Sequence, residues 1–245
     1  MSIEKGDFVR VNFVGRIIEN DEVFDTTYQE IAQEADIYNE NKDYVPIPIV
    51  VGGNHLLPQL EEAIVGLDAG DSKTVEVSSD DAFGPRDPKA IKLMSMKEFK
   101  KNGMTPYPGM RISWEGGEGK ILTVNGGRVK VDFNHPLAGK DLVYDIQVTE
   151  IIDDVNEKIK GMIQLHYPNS RYDLDETEID IEDGVVNIQL DELTRYDQQS
   201  HMDINIAKFR ISKDIWDNID GIEKVNFIDS FEKHDDSEEK EEGEE

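Results

Sequence analysis

The run Asp80-Asp81-Ala82-Phe83-Gly84-Pro85-Arg86-Asp87-Pro88 constrains this chain more than any other stretch. Proline fixes φ, lacks an N–H and crowds the residue before it, so neither a strand ladder nor a helix runs through two of them. The Gly-Pro pair forces a turn. Phe83 therefore stands at the rim of an element and not inside one. An aromatic ring at such a place has two explanations. It anchors the loop to a core, or it walls a binding pocket.

The pattern also changes across Pro88. Before it, DFVRVNFVGR alternates with Val9, Val11 and Phe13 on one side, a half-buried strand. An acidic segment, 26 to 46, has Ile31, Ala35 and Tyr38 at helical spacing and reads equally as a lid helix or a surface loop. IPIVVG predicts a strand, PQLEEAIVG a short helix started by Pro58 and closed by Gly66, and KTVEV another strand. After Pro88 comes a small pattern of its own. SMKEFKK predicts a helix capped by Ser95 with Glu98, and RISWEGG, GKILTV and RVKVDF predict strands, with a hairpin turn at Asn125-Gly126-Gly127. GGEGK, 116 to 120, reads as a further hairpin turn. The framework resumes with the strand DLVYDIQVTEI. Beyond it, NEKIKGMIQLH predicts an amphipathic helix, ETEIDIEDGVVNIQL a hairpin turning at Asp183-Gly184, DINIAKFRI a strand, DIWDNI a helix capped by Ser212, and VNFIDSF a last strand.

Composition narrows the functional classes. At 245 residues the chain has room for more than one domain. It holds no cysteine, so disulfides are excluded. MSIEKGDFVRV lacks an apolar signal segment, and no stretch approaches the ~18 apolar residues of a membrane helix. The expectation is a cytoplasmic protein without membrane or nucleic-acid partners, since 54 acids against 26 bases leave a net charge of -28 and no basic stripe for a phosphate backbone. Residues 235 to 245 carry eight acids and one lysine, a run expected to be a disordered, solubilising tail. The acidity also keeps a protein soluble while it handles sticky, unfolded partners.

Covalent and acid–base chemistry find no support. Five scattered histidines and no cysteine make no metal-ligand set, and His135, His166 and His201 read as structural. No phosphate loop or nucleophile elbow is present. One reaction needs neither. Rotation about an X-Pro bond faces a barrier of ~18–20 kcal/mol, and a catalyst need only bind the twisted amide better than the planar one. Twisting removes charge separation, so an apolar, water-poor site favours it, with no cofactor.

Four blocks in order, VNFVGRIIENDEVFDTT, GGNHLLPQLEEAIVGLDAGDSKTVEV, DDAFGPRDP and LVYDIQVTEI, resemble those of the FKBP-type peptidyl-prolyl cis-trans isomerases (rotamases). The block ending in FNHPLAG resembles the insert-in-flap domain of SlyD-like members, and the C-terminal part resembles the long archaeal FKBPs. The resemblance implies an α+β fold: a bent antiparallel sheet around a short helix, with an inserted β-rich domain and an additional C-terminal α+β domain. The implied domains are 1–88 with 135–152 (isomerase), 89–134 (insert, chaperone), 154–231 (C-terminal) and 232–245 (acidic tail). SlyD's histidine-rich metal-binding tail has no counterpart here, so no metal is carried over.

Residue by residue, the resemblance makes Phe13, Phe24 and Tyr144 aromatic walls and Asp25 the polar side chain facing the twisted amide. Leu56 and Leu57 lie at the strand-to-helix turn, where the Leu57 amide would hold a substrate carbonyl, and Leu60 is the floor. Ala82 and Phe83 form a lip, closed by His135 and Leu137. Many relatives carry tyrosine at the positions of Phe83 and, in some cases, Phe13, so orienting hydroxyls are missing. On the insert, Leu93, Met94, Met96, Phe99, Met104 and Tyr107 either fill its core or bind unfolded chains. The function implied is a prolyl isomerase with chaperone activity on unfolded or proline-containing polypeptides, with a monomer favoured. The alternative is a binding-only holdase with a weak prolyl pocket.

Overall fold

The structure is a computed structural model that describes residues 2–114, 117–168, 173–196 and 204–231. His201 and the acidic tail lie outside the described residues. The order of elements is β1 (Phe8–Ile17), β2 (Glu22–Thr26), α1 (Gln29–Glu34), β3 (Ile47–Val50), α2 (Pro58–Ile64), β4 (Ser72–Val77), β5 (Ile91–Ser95), α3 (Met96–Lys101), β6 (Arg111–Trp114), β7 (Gly117–Asn125), β8 (Arg128–Asp132), β9 (Leu142–Ile152), α4 (Val155–His166), β10 (Glu178–Glu182), β11 (Val185–Gln189), α5 (Ile204–Asn218) and β12 (Lys224–Phe227). Three sheets result: a five-stranded one in the order β2-β1-β9-β4 with β3 on β1, a four-stranded one in the order β5-β8-β7-β6, and a three-stranded one in the order β10-β11-β12. The fold is α+β. No helix among the described residues is long and apolar enough to cross a membrane.

The chain divides into two compact units, one of residues 1–13, 26–73 and 146–245, the other of 14–25 and 74–145. In the first, β1 and β3 pair antiparallel from Phe8 opposite Val50 to Val11 opposite Ile47. Phe8, Val50 and Ile152 join one apolar cluster with Ile159, Met162 and Ile163 of α4, Val186 and Ile188 of β11, and Ile211 and Ile215 of α5. The C-terminal segment therefore shares its core with the N-terminal strands. α4 starts where the Asp154 carboxylate accepts the Glu157 N–H at 3.0 Å. It lies so close to β3 that a Cβ on Gly161 would stand 3.0 Å from the Pro48 Cβ. Arg10 of β1 donates to the Gln164 Oε1 at 2.7 Å.

The β10–β11 hairpin turns at Asp183 and Gly184 with φ of 48° and 77°, as its Asp-Gly pair predicts. The next expectation fails. Within DINIAKFRI, Ile204 to Ile211 form not a strand but the start of α5. Ile204 and Ile206 mimic strand alternation, yet Ala207, Ile211 and Ile215 are buried at helical spacing while Ile206 remains 49% exposed. Tertiary packing chose the helical stripe over β-branched propensity. Ser212 consequently caps nothing. It lies inside α5 and donates to the Lys208 carbonyl at 2.9 Å.

In the second unit, the insert closes a core of Phe99, Ile112, Ile121, Val129 and Val131. The Ser95 Oγ caps α3 by accepting the Lys97 N–H at 3.2 Å. The two-residue turn Gly126-Gly127 joins β7 to β8 with both φ positive, 56° and 77°. β5 is a strand the pattern did not announce. Gly117 to Lys120, read as a turn, is instead the start of β7, paired with β6 from Trp114 opposite Gly117 to Arg111 opposite Lys120. The segment 26 to 46 forms the short helix α1 followed by loop, with Ala32 rather than Ile31 as its buried residue.

Candidate functional site

In the second unit, β2 carries Phe24 and Asp25, and β9 carries Tyr144. Phe24 meets Tyr144 edge to face, centroids 5.6 Å apart and planes at 85°, the arrangement ring quadrupoles favour. Space for this pair comes from Gly15 of β1. A Cβ there would lie 2.6 Å from the Phe24 Cζ and 3.1 Å from the Tyr144 Cε1, so any side chain would displace the rings. Tyr144 is buried, and burial, aided by the charge of Asp25, pushes its phenol up to about 12. It stays a neutral hydrogen-bond donor at physiological pH. The pair is an apolar wall with one phenol and one carboxylate beside it.

The residues expected to form a lip gather in a second cluster. Phe83, 37% exposed, stacks on His135 with centroids 4.2 Å apart and planes 6° from parallel. The Ala82 N–H donates to the Ser78 carbonyl at 3.0 Å, and the Gly139 N–H donates to the Gly84 carbonyl at 2.8 Å. The Leu137 N–H donates to the His135 Nδ1 at 3.2 Å. Ala82, Phe83, His135 and Leu137 thus lie on two segments that hydrogen-bond to each other. Beneath them sits a clamp that sequence reasoning missed. Asp132 pairs with Arg86 and accepts the Asn134 N–H at 3.0 Å and its Nδ2 at 2.6 Å. Asn134 in turn accepts the Asp87 N–H at 2.8 Å and donates to the Asp87 carbonyl at 3.0 Å. Burial alone would raise the Asp132 carboxyl, but the hydrogen bonds from Asn134 and the Arg86 partner outweigh it and hold it below the usual range. The clamp fastens the chain entering the insert to the chain leaving it.

In the first unit, the Phe13 N–H donates to the Thr27 Oγ1 at 2.9 Å, and its carbonyl accepts the Thr26 Oγ1 at 3.0 Å. Leu57 precedes α2, with Pro58 in the first helical position. The Leu57 N–H meets no acceptor among the described residues. Leu60 is buried on the same short helix. Next to it is the second residue that sequence reasoning missed. Glu61 is buried, and its carboxylate accepts three backbone N–H groups, from Gly52 at 3.0 Å, Asn54 at 3.2 Å and Leu56 at 2.9 Å. The loop before α2 is wound round this carboxylate, which fixes the course of the chain up to Leu57. An acid on the buried stripe of α2, whose other buried members Leu60, Ala63 and Ile64 are apolar, was the available signal.

The C-terminal segment reaches the same loop. The His166 Nε2 of α4 lies 2.5 Å from the Asp214 Oδ2 of α5, and the His55 ring lies 6.3 Å from the His166 ring. Burial lowers the His55 pKa, helped by His166 and opposed by Asp214 and Glu61. His166 has the structural role expected of it. No group of residues suited to a metal ion occurs among the described residues.

The six insert residues separate. Leu93 and Tyr107 are 59% and 61% exposed. Met94, Met96 and Met104 are half-buried against the insert core. Phe99 is fully buried and stacks near Trp114, with centroids 4.9 Å apart. Its assignment to a binding surface is corrected: a domain this small needs a large ring such as Phe99 at the centre of its core.

Residues 1–100 match the family described as FKBP-type peptidyl-prolyl cis-trans isomerase. Residues 92–137 match FKBP26, IF domain, and residues 155–232 match FKBP26 C-terminal. A short-type peptidyl-prolyl cis-trans isomerase of Methanocaldococcus jannaschii is 36% identical over 149 residues, 61% of this chain and 94% of that protein. An FKBP-type 16 kDa peptidyl-prolyl cis-trans isomerase of Escherichia coli is 37% identical over 105 residues, 41% of this chain and 70% of that protein. The FKBP-type peptidyl-prolyl cis-trans isomerase SlyD of Yersinia pestis is 28% identical over 148 residues, 58% of this chain and 75% of that protein.

Proposed function

The chain belongs to the FKBP-type peptidyl-prolyl cis-trans isomerases, and on that premise we propose that it speeds X-Pro rotation in unfolded or partly folded polypeptides while its insert retains them. The observation that carries the reading is the Phe24–Tyr144 pair beside Asp25, kept open by Gly15. An apolar wall disfavours the planar, charge-separated amide relative to the twisted one, and each ~1.4 kcal/mol of that difference is tenfold in rate. Phe24 and Tyr144 take the prolyl ring, and Asp25 is the polar group toward the twisting amide. The Leu57 N–H, which meets no acceptor among the described residues, keeps the role of holding a substrate carbonyl that family resemblance gives it. Phe13, Leu56 and Leu60 keep the apolar roles that family resemblance gives them, and Ala82, Phe83, His135 and Leu137 form the lip. No step of this mechanism needs a cofactor. Retention falls to Leu93 and Tyr107, with the half-buried methionines as adaptable neighbours.

The test is isomerisation of a short proline peptide by the full chain and by Tyr144→Ala. Loss of most of kcat/KM in the variant supports the reading. Unchanged kcat/KM would remove the wall from the mechanism. A binding-only holdase is the second reading, favoured by the exposed Leu93 and Tyr107 and by phenyl rings without hydroxyls at Phe13 and Phe83. It predicts suppressed aggregation with no catalysis of the same peptide.

A further inference from the structure

A cleft of about 580 Å³ in the second unit lies between the outer face of β6–β7 and the segments at Arg86 and 134–140. Four cations line it, Arg86, Arg111, Lys120 and Lys140, with two acids, Glu118 and Asp132. This is a local reversal of sign in a chain with 54 acids against 26 bases. Arg86 and Asp132 satisfy each other. Arg111, Lys120 and Lys140 form no ion pair or side-chain hydrogen bond among the described residues, so three uncommitted cations face one uncommitted acid. Two of the three oppose each other directly. Arg111 of β6 and Lys120 of β7 are register partners on one face. Like charges so placed cost stability, and Asp132, the partner of Lys120 on the other side, is already bound to Arg86 and Asn134. An anion between Arg111 and Lys120 would turn a repulsion into two attractions.

We propose that this cleft binds an acidic stretch of the client polypeptide, with a client carboxylate seated between Arg111 and Lys120. The cleft begins at the lip, because His135, whose ring stacks on Phe83, also lines it. A chain whose proline lies at the lip therefore has its neighbouring residues in the cleft. This placement rests on the isomerase reading above. Leu122, Pro136 and Ala138 add apolar contact suited to a polypeptide. A nucleic acid fits less well. Its regularly spaced phosphates would extend past three cations onto a surface of net charge -28. The Debye length, about 8 Å at physiological salt, confines attraction to the cleft itself.

The experiment uses the full chain and two labelled proline peptides that differ only in two residues beside the proline, Glu in one and Gln in the other. Affinities are read by fluorescence anisotropy. Two rim ion pairs correspond to a preference for the Glu peptide of about fivefold at low salt, shrinking at 0.2 M salt. In the Arg111→Gln/Lys120→Gln double variant the ratio should fall towards one. Both positions are exposed strand residues, and a melting curve checks the fold; Lys140→Gln serves as an independent second variant with a smaller fall. Equal affinities in the parent, or a preference that survives both variants, overturn the proposal. Displacement of the Glu peptide by a short single-stranded RNA at equal concentration also overturns it, making the cleft a general polyanion site. Isomerisation of the Gln peptide by the parent reports separately on the isomerase reading. If that fails while the Glu preference holds, the cleft stands and only its link to the lip is lost.

Discussion

The insert and the C-terminal segment are both additions to one isomerase framework, and they are attached by opposite means. The insert draws its core, Phe99 to Val131, entirely from itself and is fastened by polar groups, Asp132 with Arg86 and Asn134. The C-terminal segment builds its core partly from Phe8 and Val50, strands of the framework. A self-contained core makes an addition separable. A shared core makes it part of the framework's own stability.

The largest expected effect is truncation after Asp153. Phe8, Val50 and Ile152 would each lose cover worth roughly 1.5–3 kcal/mol when complete. The loss is on the order of 5 kcal/mol, a fall in melting temperature of at least about 10 °C for a chain of this size. Calorimetry checks it, and a shift under about 3 °C would break the contrast. Next, Phe99→Ala should cost about 3–5 kcal/mol inside the insert alone. Hydrogen exchange should quicken in β5 to β8 while α4 and β11 keep their protection; quickening in both would show that the insert is not separable. Glu61→Gln is smaller, about 1–3 kcal/mol, because one amide oxygen replaces a carboxylate that serves three N–H donors. Since that loop leads to Leu57, KM should rise more than kcat falls, measured on a short proline peptide.

Acid separates the two attachments with the smallest effect. The folded His55 pKa lies below its ordinary 6.5, so the unfolded chain takes the proton first. Its contribution is complete above pH 6.5 and declines as pH falls below that value. The Asp132 pKa also lies below its ordinary value, 3.8, so the clamp's contribution is present above about 3.8 and lost only as pH falls through the lower folded value. Denaturant titrations from pH 7 to 3 should show the unit containing the C-terminal segment weakening first. His55→Asn should remove that early slope and leave the later one.

Local signals carried much of the fold. FVRVNFV forms a strand with Val9 and Val11 buried as expected, although Phe8 and Val14 are buried too and Phe13 only half-buried; Ser95 caps α3, and the Gly126-Gly127 and Asp183-Gly184 turns follow from positive φ. The blocks of family resemblance brought Phe24 together with Tyr144, and Phe83 with His135, and the structure has both ring contacts; their roles in a site belong to the proposal. What escaped was long-range. Arg86 and Asp132 are 46 residues apart, and Gly15 matters only because of rings on two other strands. Glu61 looks like one acid among 54 until its three backbone donors are seen. α5 misled because isoleucines at Ile204 and Ile206 imitate a strand, and only the packing of Ile211 and Ile215 reveals the helical period.

The most direct measurement is refolding of a model protein limited by a trans-to-cis proline step, with catalytic amounts of the full chain and of a version whose residues 89 to 133 are replaced by a short loop. The account predicts strong acceleration by the full chain and loss of most of it on replacement, because wall and insert act on the same unfolded polypeptide. No acceleration by the full chain would contradict it, and Phe24, Tyr144 and Phe83 would then be a peptide-binding surface without catalysis.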